Sequence, residues 1–174
     1  MSGNQHPSVT DAPVETSAAC PSGQAPVFEP VKGERSLLLH ICCGPCSIMP
    51  VKRLQDEGFT VTAWYMNPNI QPLTEYLRRR EAAEECAARL GIGLICQDDT
   101  WDLVAWLRSV AGRDLHPQRC AWCCGSRMQA AVAYAHANGY AHVSSSLLYS
   151  RYQPHDVIRA AGEHAAAAEG APLS

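Results

Sequence analysis

The chain has 174 residues, 47% of them hydrophobic, and a formal net charge of -3, enough for one globular domain with its own core. No apolar run approaches the roughly 18 residues of a membrane span, and the N-terminus lacks the basic-then-apolar pattern of a secretory signal, which points to the cytoplasm. Residues 1–34 hold four acids and one base while the rest holds 13 of each, so nucleic-acid binding requires a local basic patch rather than a global excess.

Residues 1–34 are rich in Pro, Ser, Ala, Thr and Gly without periodicity. They read as a disordered leader in which Cys20 is an incidental thiol, ahead of one α/β domain over 35–174. "SLLLHI" (36–41) is a short apolar run suited to a buried strand. Ser47 can cap a helix running to about Glu57, with Pro50 in its first turn, where the missing N–H costs nothing. "FTVTAWYM" (59–66) is a second strand and "NPNIQP" a turn-rich loop. Leu73 to Leu90 is a helix stopped by Gly91, followed by the strand "IGLIC" (92–96). A short helix spans Thr100 to Val110, with Thr100 as its cap, and a longer one runs from about Ala121 to Asn138, ended by Gly139. "HVSSSLLY" (142–149) is a fourth strand, and Pro154 opens a last helix. The order β-α-β-α-β-α-α-β-α argues for a parallel sheet covered by helices, with ligands at the carboxyl ends of its strands.

Nine cysteines in a reducing compartment point to metal binding or catalysis rather than disulfides. Two clusters stand out, Cys42, Cys43 and Cys46 in "CCGPC" and Cys120, Cys123 and Cys124 in "RCAWCC", about 75 residues apart. Brought together they supply a four-thiolate site, as zinc or an iron–sulfur cluster demands. Adjacent cysteines in a regular strand point to opposite faces. Cys42 and Cys43 therefore reach one site only if the backbone leaves the strand, which Gly44 and Pro45 favour, or else they serve two neighbouring metals. This irregular ligation suits a functional cluster better than a structural zinc. Cys86, among alanines in a helix, and Cys96, ending an apolar strand, read as small core residues.

Four segments in order, "LLLHICCGPCS", "YMNPNIQPLTEYLRR", "RCAWCCGSRM" and "SSSLLYSRYQPHDVI", cover about residues 36–165 and together resemble the cobalamin-independent epoxyqueuosine reductases of the QueH family. The resemblance implies a nucleotide α-hydrolase-like (HUP or Rossmann-like) parallel α/β fold. It implies the last step of queuosine synthesis, reduction of epoxyqueuosine at the wobble position of a tRNA anticodon to the cyclopentene. It implies a 4Fe-4S cluster on Cys42, Cys43, Cys120 and Cys123. Family members can carry a second iron whose ligands include the position of Cys46, Asp in some members. Two departures stand beside the resemblance. Many members end in a Cys-Gly-Cys segment that forms a disulfide, and none precedes Ser174 here, leaving a truncated gene or another electron route. Cys124 stands where members usually have an aromatic residue.

Opening an epoxide to an alkene takes two electrons and two protons, so a proton donor must serve the leaving oxygen. His40, Asp98, Asp99, His116 and Tyr149 are candidates, and the catalytic set is narrowed to Cys46, His40 and Asp98. Phosphates and unstacked loop bases call for cations beside aromatics. Arg78, Arg79, Arg127 and Tyr152 are the candidate tRNA contacts, with Tyr76, Arg80, Arg119, Arg151 and His155 nearby. Asn67 and Asn69 either contact the base or turn their loop. "RRREAAEE" has a plainer reading as a solvated helix face with Glu–Arg pairing. The partners implied are the anticodon loop and an electron donor the sequence does not identify, with no membrane.

Three other readings compete. Cys43–Cys46 matches the CGPC motif of thioredoxin-like dithiol oxidoreductases, which leaves Cys42 and the second cluster without a task. A zinc-stabilised nucleic-acid-binding module would lack catalysis. An ATP-using tRNA-modifying enzyme of similar fold would need an SGGxDS-type loop where "CCGPCS" stands.

Overall fold

The computed structural model describes residues 32–113 and 115–169. The leader expected over 1–34 thus lies outside the described residues up to position 31, as do Cys20 and the C-terminal residues 170–174. The elements are β1 (Gly33–His40), α1 (Gly44–Asp56), β2 (Thr60–Tyr65), α2 (Leu73–Leu90), β3 (Gly93–Cys96), α3 (Leu103–Val110), α4 (Gln118–Asn138), β4 (Tyr140–Ser145) and α5 (His155–Glu169). Short 3-10 turns cover Asp98–Thr100 and Ser146–Tyr149.

All strand pairs are parallel and the sheet order is β3-β2-β1-β4. β1 is therefore interior, and its continuous apolar run is what a strand covered on both faces requires. Successive side chains alternate between two cores. Leu37, Leu39 and Ile41 pack with Val51, Tyr76 and Ala83 of α1 and α2. Leu38 packs with Trp64, Met128, Val132 and Ile158, which brings α4 and α5 onto the other face. Leu38 and Leu39 are fully buried, each worth about 1.5–3 kcal/mol. α3 buries no residue.

The element order matches the sequence reading. β1 starts at Gly33 rather than Ser36, so residues 33 and 34, expected in the leader, belong to the sheet, and four further boundaries differ for local reasons. α1 starts at Gly44, before Ser47, because Pro45 presets the first-turn φ. Pro50 is consequently inside the helix, and the Ser47 hydroxyl donates back to Gly44 O at 2.6 Å instead of capping. α3 is capped by Asp102, whose Oδ1 accepts from the N–H groups of Val104 (2.8 Å) and Ala105 (2.9 Å). Thr100 belongs to the preceding 3-10 turn and donates to Gln97 O. α4 begins right after Pro117 rather than at Ala121, so Cys120 joins Cys123 and Cys124 in the helix. β4 ends at Ser145, whose hydroxyl accepts from Leu147 N–H and turns "SLLY" into a 3-10 turn. Gly91 (φ 66°) and Gly139 (φ 73°) end α2 and α4 as expected, in the left-handed conformation.

The chain runs from β1 outward through β2 to β3, then returns to place β4 on the other side of β1. The carboxyl ends of β1 and β4, which flank this reversal, are the usual ligand position in open parallel sheets.

Candidate metal centre

The first cysteine loop follows the carboxyl end of β1. The backbone leaves β1 after His40, and extended Cys43 (φ -173°, ψ 168°) is the N-cap of α1. This departure brings consecutive side chains to one place, with Cys42 Sγ and Cys43 Sγ 4.0 Å apart. The Cys42, Cys43 and Cys46 sulfurs all lie within 4.8 Å of one another, the one such ligand group among the described residues. Thiolates on one tetrahedral ion, with metal–sulfur bonds of about 2.3 Å, stand about 3.8 Å apart, so the triad is spaced for metal binding. β4 ties the loop down. Cys42 N–H donates to Ser146 Oγ at 3.3 Å, and that hydroxyl lies 3.8 Å from Cys42 Sγ, to which it donates.

The three thiols are electrostatically unequal. The hydrogen bond Cys42 donates to Cys43, with burial, raises Cys42 far above the ordinary thiol range. Accepting that bond lowers Cys43 to about 5, with Cys46 and the Arg79 charge adding to it. Burial raises Cys46, even though it is the most exposed of the three. Cys43 is thus the most acidic thiol of the three.

Cys120 and Cys123 sit one turn apart in the first turns of α4, outside the 4.8 Å group. Their helix is fastened to the end of β1. Buried Arg127 donates from Nε to Cys123 O (2.8 Å) and from Nη1 to Asn67 Oδ1 (3.4 Å), and Asn67 Nδ2 donates to Ile41 O (2.9 Å). Cys42 also packs against the core that holds Cys124 and Met128. The donor set fits a thiolate-held metal group. It comprises three clustered thiols and a second pair at helical spacing on a helix tied to the same strand end. Cys124 is buried, donates to Gln153 Oε1 (3.7 Å) and accepts from Arg127 Nη2 (3.7 Å).

His40 is fully buried. Its Nε2 faces Met66 O at 3.3 Å and its Nδ1 faces Ser145 Oγ at 2.9 Å. The carbonyl only accepts, so Nε2 carries the proton and Nδ1 accepts from the serine hydroxyl. Burial, and secondly the Arg127 charge, lower its pKa from 6.5 to about 3. Asp98 accepts from Tyr76 Oη at 2.7 Å and pairs with Arg80 Nε at 3.0 Å. Burial pushes the neighbouring Cys96 thiol up to about 11. Asp99, His116 and Tyr149 are exposed. Cys86 is half-buried against a cavity of 410 Å³ that Pro45, Ile48 and Ala82 line between α1 and α2.

Of the candidate tRNA contacts, Arg78 and Arg79 are surface groups that share Glu75, at 2.8 and 2.6 Å. Their hydrogen bonds hold Glu75 down at about 2. Arg80 pairs with Glu84 and Asp98, so the Glu–Arg pairing anticipated for this helix face is present. Tyr152 is 78% exposed, with the Arg151 guanidinium 4.8 Å from its ring centre. Arg127 is only 6% exposed, and Asn67 is buried and committed to backbone. The sequence reading missed Ser145 and Ser146 as the clamps of His40 and Cys42. The serine run at the end of a strand was their only signal. It also missed the Arg113–Trp122 stack, at 4.5 Å, beside the second cluster.

A family model described as epoxyqueuosine reductase QueH matches residues 37–172. The epoxyqueuosine reductase QueH of Histophilus somni is 34% identical over 163 residues, covering 90% of this chain and 66% of the relative. Its counterpart in Haemophilus influenzae is 36% identical over 137 residues (77% and 55%), and that of Dehalococcoides mccartyi 35% over 119 residues (68% and 64%). The chain therefore spans 55–66% of the length of these curated relatives.

Proposed function

The chain belongs to the QueH family, and on that premise we propose that it is an epoxyqueuosine reductase, converting epoxyqueuosine at the wobble position of tRNA to queuosine. The observation that carries the proposal is the family match over 37–172, which includes both cysteine clusters, with the first cluster at the carboxyl end of β1.

Cys42, Cys43, Cys120 and Cys123 are the proposed ligands of a 4Fe-4S cluster, and Cys46 the proposed thiol toward an additional iron. Such a cluster supplies electrons singly, and an iron with an open position acts as a Lewis acid on an epoxide oxygen. The reduction takes up two electrons and two protons per epoxide and releases water, so a separate electron donor is required. Where no additional iron is held, Cys46, the most exposed thiol of its cluster, suits proton supply to the leaving oxygen. Asp98, tied to Tyr76 and Arg80, suits orientation of a polar substrate group. His40, neutral and doubly hydrogen-bonded, suits a positioning role that fixes the exit of β1 ahead of Cys42. Arg78 and Tyr152, which are exposed, and Arg79, which is half-buried, suit anticodon-loop phosphates and bases. No helix among the described residues is long and apolar enough to cross a membrane, and the proposed site of action is the cytoplasm.

The test is anaerobic purification with iron and sulfide analysis. A brown protein with iron and sulfide near one cluster per chain is expected. A colourless, zinc-only protein after anaerobic reconstitution would contradict the proposal and favour the zinc-stabilised module. A protein without metal but with a reversible Cys43–Cys46 disulfide would favour the dithiol oxidoreductase.

A further inference from the structure

We propose that Arg127 is the internal counter-cation of the thiolate-held group, a positioning residue for the cysteine site rather than a contact for tRNA. The proposal rests on the reading of the α4 cysteines as ligands.

Arg127 is 94% buried by exposure of 6%, and a guanidinium keeps its charge in a protein. A buried charge needs a compensating one. None of the ion pairs among the described residues includes Arg127. Its partners are a backbone carbonyl (Cys123 O, 2.8 Å), a neutral amide (Asn67 Oδ1, 3.4 Å) and a sulfur (Cys124 Sγ, 3.7 Å). The nearby imidazole of His40 is neutral. The groups left to supply negative charge are the thiols, and they become anionic on binding a metal. The same guanidinium also fixes the site's shape. It holds the carbonyl of one proposed ligand, Cys123, and through Asn67 it reaches Ile41 O, next to another, Cys42. A positive charge so placed favours the reduced, more negative state of a thiolate-held cluster, because net charge and hydrogen bonds around the sulfurs set its potential. A phosphate contact, by contrast, needs an exposed side chain.

The experiment compares wild type, Arg127→Lys and Arg127→Gln, reconstituted anaerobically with iron and sulfide. The readouts are iron per chain, the reduction midpoint followed by electron paramagnetic resonance, circular dichroism, and tRNA affinity. Arg127→Gln is expected to fold, to hold less iron or a cluster with a more negative midpoint, and to bind tRNA as wild type does. Arg127→Lys is expected to recover most of the midpoint. Wild-type midpoint and iron content in Arg127→Gln would overturn the proposal, as would a loss of tRNA affinity with an unchanged midpoint. If Arg127→Gln does not fold, Arg127→Met replaces it as the neutral variant of similar volume. Wild-type midpoint and iron content in Arg127→Met would overturn the proposal. A wild type that loads its cluster but leaves epoxyqueuosine intact defeats the assigned activity and leaves the Arg127 comparison decisive. A wild type that takes up no iron defeats both.

Discussion

Cys42 Sγ and Cys43 Sγ stand 4.0 Å apart although regular strand geometry would send consecutive side chains to opposite faces. The exit of the backbone from β1, the early start of α1 and the Ser146 clamp together produce this juxtaposition. Removing either thiol should therefore abolish the site rather than weaken it. Cys42→Ala, Cys43→Ala and Cys120→Ala are each expected to lose iron and activity. Cys86→Ala, which alters only the wall of the α1–α2 cavity, is expected to keep both. Iron analysis of the four purified variants decides it, and full iron content in the first three would refute the ligand assignment.

The early start of α1 depends on a missing side chain. A Cβ on Gly44 would lie 2.1 Å from Ala82 O, so α1 could not approach α2 as it does. Gly44→Ala should cost about 2 kcal/mol or more, measured by urea unfolding. Gly125 is the contrast, because an added Cβ there meets Ala161 Cβ at an ordinary 3.6 Å. Gly125→Ala in mid-helix should stabilise by about 0.5–1 kcal/mol. Equal effects at the two positions would contradict the packing described.

These particulars separate what the sequence discloses from what it withholds. The parallel α/β order is legible because apolar runs alternate with helical periodicity, and Gly91 and Gly139 mark their helix ends without ambiguity. The cysteine pairs are legible as thiol chemistry by their spacing. The starts of α1 and α4 are not, because Gly–Pro and His–Pro read equally as loops until α2 and the neighbouring core pull the next residues into helix. Arg127 looks like any other cation in the sequence, since its burial follows from the placement of α4 against β1. Serines 145 and 146 acquire partners 104 or 105 residues away in the chain, a contact that only the sheet order creates.

His40 gives the fold a specific pH dependence. Its folded pKa is lowered from 6.5 to about 3, so below pH 6.5 the unfolded chain binds a proton that the folded ring refuses. Stability is then fully present above pH 6.5 and falls as the pH drops toward 3, by about 1.4 kcal/mol per pH unit for one proton. Carboxylates such as Glu75, with an ordinary value of 4.5, contribute little between pH 6.5 and about 5.5. Urea unfolding of the metal-free chain across that interval should show this slope. His40→Asn should be less stable at pH 7 but should lose His40's contribution to the slope. Identical slopes in the two proteins would show that His40 titrates normally.

If the exposed cations meet the anticodon loop, their removal should act by electrostatics. Arg78→Ala should weaken tRNA binding and reduce the salt slope of log affinity by about one unit. Tyr152→Ala should cost about 1–3 kcal/mol through lost stacking, with the salt slope unchanged. Filter binding over a salt series distinguishes the two, and unchanged affinity in both would move the RNA surface elsewhere, with the Arg113–Trp122 stack the next place to examine.

The most direct measurement is conversion itself. The anaerobically reconstituted chain, supplied with a chemical reductant and tRNA carrying epoxyqueuosine, should yield queuosine in the nucleoside digest by mass spectrometry, and the Cys42→Ala chain should yield none. A fully cluster-loaded chain that leaves epoxyqueuosine unchanged would contradict the assignment of this activity.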